Sequence, residues 1–383
     1  MTPVLRTPAL RTLQIGLIAS PTQTSGSDRY YCELVRAVRE LDVGVTGVVL
    51  GDPAAFPVPT PGVASFAPEG SGAKRRWTGL REAVRPLVPE ANLLVSHFAP
   101  HAFPVLDLVR HLPLVEHFHG PWALEGRFGH QPLPTIVLRE VQERLVYGKA
   151  KRIIVLSRSF GDVLERHYRV PGDKIRLVPG GADLTKFDVT LSKREARERL
   201  ALPLDRQIVF TVRRLESTKG VDRLIEAAAD VVRDVPDALF VIAGTGTMRP
   251  AFDATVRDRG LERNVQFAGF VDEAKLALLY RSADLCVVPS VAWEGFGLVC
   301  IESLASGTPV LVTPIGGLPE AVAGLDASLV LAGCEATDLA RGIRSALLGD
   351  VPLPSAEACR NYALGFSWPS IARRVVEVYR EVA

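Results

Sequence analysis

No run in this sequence approaches eighteen apolar residues, no C-x-x-C or Asp-x-Asp pair occurs, and there is no internal repeat or low-complexity segment. The first absence excludes a membrane-spanning helix. The five cysteines, Cys32, Cys286, Cys300, Cys334 and Cys359, are odd in number and far apart. They therefore read as reduced core residues of a cytosolic protein, neither a disulfide frame nor a zinc site. The only apolar run near the start, LQIGLIAS, is short and lacks a cleavage site, so it reads as a first strand rather than an export signal. No basic stripe or aromatic-interleaved motif is present, which excludes nucleic acid as a partner.

What is present suits two ordinary domains. The chain has 383 residues, 47% hydrophobic and 23% charged, too long for one core and typical of a soluble enzyme. Its net charge of +2 is uneven, about +5 in residues 1–185 and −3 in the rest. The basic half could meet an anionic membrane surface or a phosphorylated acceptor through Lys74, Arg75 and Arg76 beside Trp77. A solvated helix start is the simpler account of that cluster. The expected localisation is cytoplasmic, with peripheral contact at the inner face of a membrane left open.

The apolar pattern alternates. TLQIGLIAS, VTGVVLG, ANLLVSHF, LPLVEHFHG, KRIIVLS and KIRLVPGG are expected strands in the first half. QIVFTVRRL, ALFVIAG, NVQFAGFV, ADLCVVPS and TPVLVTP are those of the second. Helical stretches such as Asp28 to Leu41, Ile136 to Tyr147 and Ser159 to Tyr168 lie between them. This rhythm predicts β-α-β units, hence an α/β fold of two doubly wound parallel sheets facing a cleft. The expected seam is Gly180 to Lys193. It separates an N-terminal domain, residues 1–185 with a terminal helix 366–383 crossing back to it, from a C-terminal domain, residues 186–365.

The segment Ser290 to Ser303, SVAWEGFGLVCIES, places Glu294 in a strand-to-helix turn and Glu302 about two turns into the helix. The N–H groups around Phe296, Gly297 and Leu298 would open that helix, where the dipole favours a phosphate. Carboxylates flanking such a cradle can accept hydrogen bonds from sugar hydroxyls. Each glutamate taken singly also fits a surface acid. Arg214 and Lys219 in VRRLESTKG follow a strand and could neutralise a departing diphosphate, or be solvated cations of a turn. With no Asp-x-Asp pair to carry a metal, that cationic pair gains weight. Gly244 and Gly246 in IAGTGTM allow close backbone approach to a ligand, but without a third glycine they make no dinucleotide fingerprint. In VEHFHGPW, His117 and His119 stand two apart at a strand end with no third metal ligand at a telling spacing. His119 reads as a ligand-facing hydrogen-bonding group or as a structural histidine. Ser25, Gly26 and Ser27 follow the first strand and precede a helix, as a second phosphate cradle or a capped turn.

In combination these segments resemble the family-four retaining glycosyltransferases of the GT-B fold, over nearly the whole chain. Glu294-x7-Glu302, ASGTPVLVTPIGGLPE, the R-x4-K pair, HGPW, VPGGADLTKF and the terminal FSW helix agree in order and spacing. The resemblance implies a retaining, metal-independent hexosyltransferase moving sugar from a nucleotide-diphosphate sugar to a glycan, glycolipid or small-molecule hydroxyl, without a cofactor. It implies that Glu294 contacts the sugar and Glu302 the ribose, and that Arg214 and Lys219 hold the diphosphate with the amides of Phe296, Gly297 and Leu298. It further implies that His119 reaches the donor sugar from the other domain, Gly26 lies near phosphate and acceptor, and the base sits by Gly269 to Val271. Two departures stand out: Ser25-Gly26 replaces a double glycine, and Arg213 precedes Arg214-Leu215 where relatives usually have glycine. Other chemistries on the same fold are a sugar-nucleotide epimerase, a phosphorylase, and a catalytically silent sugar-nucleotide-binding protein.

Overall fold

The computed structural model describes residues 9–19, 26–56 and 60–383. Ser25 lies outside them. The chain divides into two units, Met1–Gly181 with Trp368–Ala383, and Ala182–Ser367.

The first unit carries seven parallel strands: β1 (Leu10–Ala19), β2 (Val43–Gly51), β3 (Val63–Ala67), β4 (Leu93–Ser96), β5 (Leu114–Phe118), β6 (Arg152–Val155) and β7 (Ile175–Leu177). Their order is β3-β2-β1-β4-β5-β6-β7. The apolar runs expected as strands are those strands, because a parallel strand covered by helices on both faces buries every side chain, as β4 and β5 do. Only β3 gave no such run. It is one of the two edge strands, and Val63, Ala64 and Ser65 are not buried. The second unit has five parallel strands: β8 (Ile208–Val212), β9 (Leu239–Ala243), β10 (Val265–Gly269), β11 (Leu285–Val288) and β12 (Val310–Val312), in the order β10-β9-β8-β11-β12.

Both units are therefore doubly wound Rossmann-like sheets, as the GT-B resemblance implied. In each, the strand order reverses at one point, between β1 and β4 and between β8 and β11. Ligands of such sheets bind outside the C-terminal strand ends at that reversal.

The terminal helix Trp368–Arg380 belongs to the first unit. It packs on the helix Gly26–Arg39, burying Trp368, Ile371, Val375 and Val378. Burial of that apolar face drives the docking, at roughly 1.5–3 kcal/mol for each large side chain. Tyr379 reaches through to His117 on β5, with 2.8 Å between its hydroxyl and Nε2. Where the chain enters and leaves the second unit, Ala182 and Ser367 bridge as parallel neighbours, and Ala182 N–H donates to the Phe366 carbonyl at 2.9 Å.

Candidate active site

In the second unit, β8 and β11 are neighbours at the reversal, and both run on into loops at their C-terminal ends. Arg213, Arg214 and Lys219 follow β8; Ser290 and Glu294 follow β11. The loops are joined by backbone, Val291 N–H donating to the Thr218 carbonyl at 3.0 Å. Glu294 is fixed by Gly317, whose N–H donates to its carbonyl at 2.8 Å. Gly316 approaches so closely, at φ +57°, that a Cβ there would lie 2.0 Å from the same oxygen.

The side chains then converge. Glu294 Oε2 accepts from Lys219 Nζ at 3.2 Å, from Ser290 Oγ at 2.9 Å and from Arg213 Nη2. Arg213 Nη2 also donates to Ser290 Oγ. The three charged side chains are only 7% (Arg213), 14% (Lys219) and 13% (Glu294) exposed. Burial pushes the Glu294 carboxyl up, but Arg213, Lys219 and Ser290 outweigh it and hold the pKa down at about 2. Burial lowers the Lys219 ammonium, and Glu294 opposes that shift. One oxygen of Glu294 is thus saturated, leaving Oε1 for a ligand. A carboxylate so stabilised is a poor base and a poor nucleophile but a good hydroxyl acceptor.

Arg213 and Arg214 part company at the end of β8. Arg213 N–H donates to the Ala243 carbonyl at 3.0 Å, prolonging the ladder, so Arg213 turns inward and Arg214 stands exposed. Gly244 and Gly246 sit against this stretch. At Gly244, φ +120°, a Cβ would lie 1.9 Å from the Arg213 carbonyl oxygen, and at Gly246 it would lie 2.4 Å from that of Leu215. The close approach served by these glycines is backbone on backbone, and it sets where Arg213 emerges. Gly244→Ala is expected to cost about 3 kcal/mol or more from strain and clash, read as a lower urea midpoint. Gly26→Ala, where a Cβ meets nothing within 4 Å among the described residues, is expected to stay within about 1 kcal/mol of the parent.

Gly297 is the N-cap of the helix Leu298–Ala305, with no side chain capping its first N–H groups. Phe296 before it is buried against Phe366, ring centres 5.6 Å apart. Glu302 is the fifth residue of this helix, little more than one turn in, not two. Its buried carboxylate accepts from Tyr280 Oη at 3.0 Å. Val271 is half-buried between the end of β10 and Asp272, which caps the next helix by accepting from Lys275 N–H at 2.8 Å. Phe270 beside it is 73% exposed.

In the first unit the corresponding strand ends carry histidines. His97 follows β4; His117 lies on β5 and His119 just past it. The three rings stack, with centroids 4.3 Å apart for His97 and His117 and 5.7 Å for His97 and His119. Tyr30 packs edge-on to His119 at 5.0 Å. Burial drives all three imidazoles toward the neutral form, His119 to about 4. Gly26 and Ser27, expected in a turn, lie within the helix Gly26–Arg39. The HGPW turn is anchored from below by Glu143, whose carboxylate accepts from Trp122 N–H at 2.8 Å, Ala123 N–H at 3.2 Å and Tyr168 Oη at 2.8 Å. Arg139 covers the Trp122 ring at 3.8 Å. Ser290, Tyr280, His97 and Glu143 were not singled out from sequence. For Ser290 and His97 a signal existed, a polar residue just past an expected strand, but its use required the strand order.

Lys74, Arg75 and Trp77 are exposed at the start of the helix Ala73–Val84. Among the described residues, no helix is long and apolar enough to cross a membrane, and no three His, Cys, Asp or Glu are grouped to hold a metal ion.

The family described as Glycosyl transferases group 1 matches residues 192–365, and Glycosyltransferase Family 4 matches residues 24–186. A D-inositol 3-phosphate glycosyltransferase of Nocardia farcinica is 35% identical over 313 residues, covering 78% of this chain and 68% of the relative. One from Corynebacterium aurimucosum is 31% identical over 283 residues, covering 70% and 66%. Among solved structures, sucrose-phosphate synthase from Thermosynechococcus elongatus is similar with a TM-score of 0.82 at 23% identity, over 97% of this chain and 98% of that one. An Anabaena protein solved in complex with UDP-glucose gives 0.77 at 19%, over 97% and 100%. At such identities the structures establish the shared fold.

Proposed function

Because this chain belongs to the group 1 glycosyltransferases of family four, we propose that it transfers a hexose, with retention and without a metal, from a nucleotide-diphosphate sugar to an acceptor hydroxyl. The observation that carries this reading is the Glu294 cluster at the β8–β11 reversal, where a carboxylate held ionised by two cations lies beside an uncapped helix start.

In this reading Glu294 Oε1 accepts hydrogen bonds from the sugar. Lys219 and the exposed Arg214 neutralise the diphosphate, aided by the N–H groups of Phe296, Gly297 and Leu298. Glu302, set by Tyr280, takes the ribose; Gly244 and Val271 flank the base side. His119 accepts from a sugar hydroxyl, and Gly26 lies near phosphate and acceptor. Charge builds on the leaving diphosphate as the bond breaks, so fixed cations there lower the barrier. The departing phosphate oxygen takes the acceptor's proton on the face it leaves, which accounts for retention. A Glu294 pKa of about 2 suits a hydroxyl binder and leaves the base role to phosphate. The Nocardia relative's name specifies a phosphorylated inositol; Lys74, Arg75 and Arg76 give this chain a cationic surface for a phosphate-bearing acceptor.

The test is thermal unfolding in EDTA with UDP-, GDP- and ADP-sugars. The matching nucleotide at 100 times its Kd is expected to stabilise by about 2.7 kcal/mol. Absence of a shift with every nucleotide, together with absence of transfer, defeats the proposal. Conversion of the donor's sugar without acceptor would reassign the chemistry to epimerisation.

A further inference from the structure

A chain of hydrogen bonds crosses the sheet of the first unit, and its direction is fixed at one end. A backbone carbonyl can only accept, so Thr12 Oγ1 donates to the Gly44 carbonyl oxygen at 3.1 Å. Its single proton being used, Thr12 Oγ1 is an acceptor for the amide of Gln14, whose Nε2 donates to it at 3.3 Å. That sets the orientation of the amide and turns Gln14 Oε1 toward His97 Nε2, 2.9 Å away. An amide oxygen only accepts, so His97 is protonated on Nε2. The buried His97 ring is neutral, which leaves Nδ1 without a proton. His119 Nε2 lies 3.4 Å from His97 Nδ1 and must therefore be the donor. Gln14 and His97 are both buried, while His119 is the outermost ring of the stack.

We propose that Gln14 and His97 are positioning residues that lock His119 in the Nε2-protonated tautomer, so that Nδ1 is its one acceptor and receives a hydrogen bond from a hydroxyl of the bound sugar. The role of the sugar rests on the function proposed above; the tautomer does not. The polarity starts at Gly44 on β2, crosses β1 and β4, and ends at the residue past β5. A sugar lacking a hydroxyl opposite Nδ1, or offering an acceptor there, loses the contact and faces an unpaired lone pair.

The neutral forms favoured by burial keep the relay in place near pH 7. Protonation of His97 would put a second proton on Nδ1 against the Nε2–H of His119 and break the link. Tyr30 faces His97, His117 and His119, and His117 Nε2 is engaged by Tyr379.

The experiment is long-range 1H–15N correlation of histidine-labelled protein near pH 7, on the parent, Gln14→Met and His97→Phe, with donor kinetics on the same samples. In the parent, His119 is expected wholly as the Nε2–H tautomer; finding the Nδ1–H form overturns the proposal. In both variants the second tautomer is expected to appear. The donor KM is expected to rise about tenfold, with kcat within about twofold. A His119 tautomer unchanged in both variants also overturns it, whatever the kinetics. If the parent shows the expected tautomer but transfers sugar from no donor, the relay stands and the proposed function fails.

Discussion

Glu294→Gln is expected to lower kcat/KM for the donor by about 10² to 10³-fold, because the substitution removes the charge that organises the whole cluster while keeping its shape. The effect has two parts. Glutamine still offers an oxygen to the sugar but no longer compensates Arg213 and Lys219, which stay close together and nearly buried. Leaving buried charges without their partner costs about 3–5 kcal/mol of stability. A nucleoside diphosphate supplies negative charge to the same cations, so it is expected to recover more stability in the variant than in the parent. Arg214→Ala is the companion measurement. Arg214 is exposed, so its loss is expected to change stability by less than about 0.5 kcal/mol. It would still lower turnover about tenfold or more if it faces the diphosphate. Parent-like kinetics in both variants, measured on folded protein, would sink the assignment.

Acidification is expected to destabilise the first unit by about 3 kcal/mol per pH unit between pH 6 and 5. His97, His101, His117 and His119 all have pKa values depressed chiefly by burial, His101 and His119 to about 4. Unfolded histidines titrate near 6.5. A depressed histidine contributes stability that is fully present above that value and is lost as pH falls through the window down to the folded pKa. Two buried carboxyls oppose this. Burial raises Glu116 well above its ordinary value and Glu143 to about 7, the latter against the hydrogen bonds it accepts. A raised carboxyl is protonated in the folded state while the unfolded chain has released its proton, so it favours folding as pH drops from 7 to 4.5. Four histidines against two carboxyls leave the unfolded chain about two protons ahead near pH 5.5, and the slope follows from linkage. Glu294, with its pKa of about 2, enters only below this window. Urea midpoints at pH 7, 6 and 5 measure the slope; a flat profile contradicts the neutral histidine stack.

Much of the architecture was legible because a strand of a covered parallel sheet has to be apolar at every position, and such runs stand out. β3 was not, since it is short, carries Ser65 at its centre and buries only Phe66 and Ala67. The carboxylate and lysine of the cluster were legible from spacing around a strand end. Which of two adjacent arginines turns inward was not, because that depends on the ladder continuing one residue beyond β8 to reach the Ala243 carbonyl. Gly244 and Gly246 announced a close approach, yet nothing local could say that the approaching atoms were those of Arg213 and Leu215. His97 joins His119 only because β4 and β5 are neighbours, and strand order is a property of the whole fold.

Ala182 and Ser367 lie side by side where the chain enters and leaves the second unit, so that unit interrupts the first without prying it apart. On a ribosome this sets a schedule. Residues 182–367 are complete before Trp368–Arg380 emerges, so the second sheet can close around its own core while the first still lacks the helix that covers Gly26–Arg39. His117 gains its Tyr379 partner only once that helix has been made, so the histidine stack acquires this support after the second unit is complete.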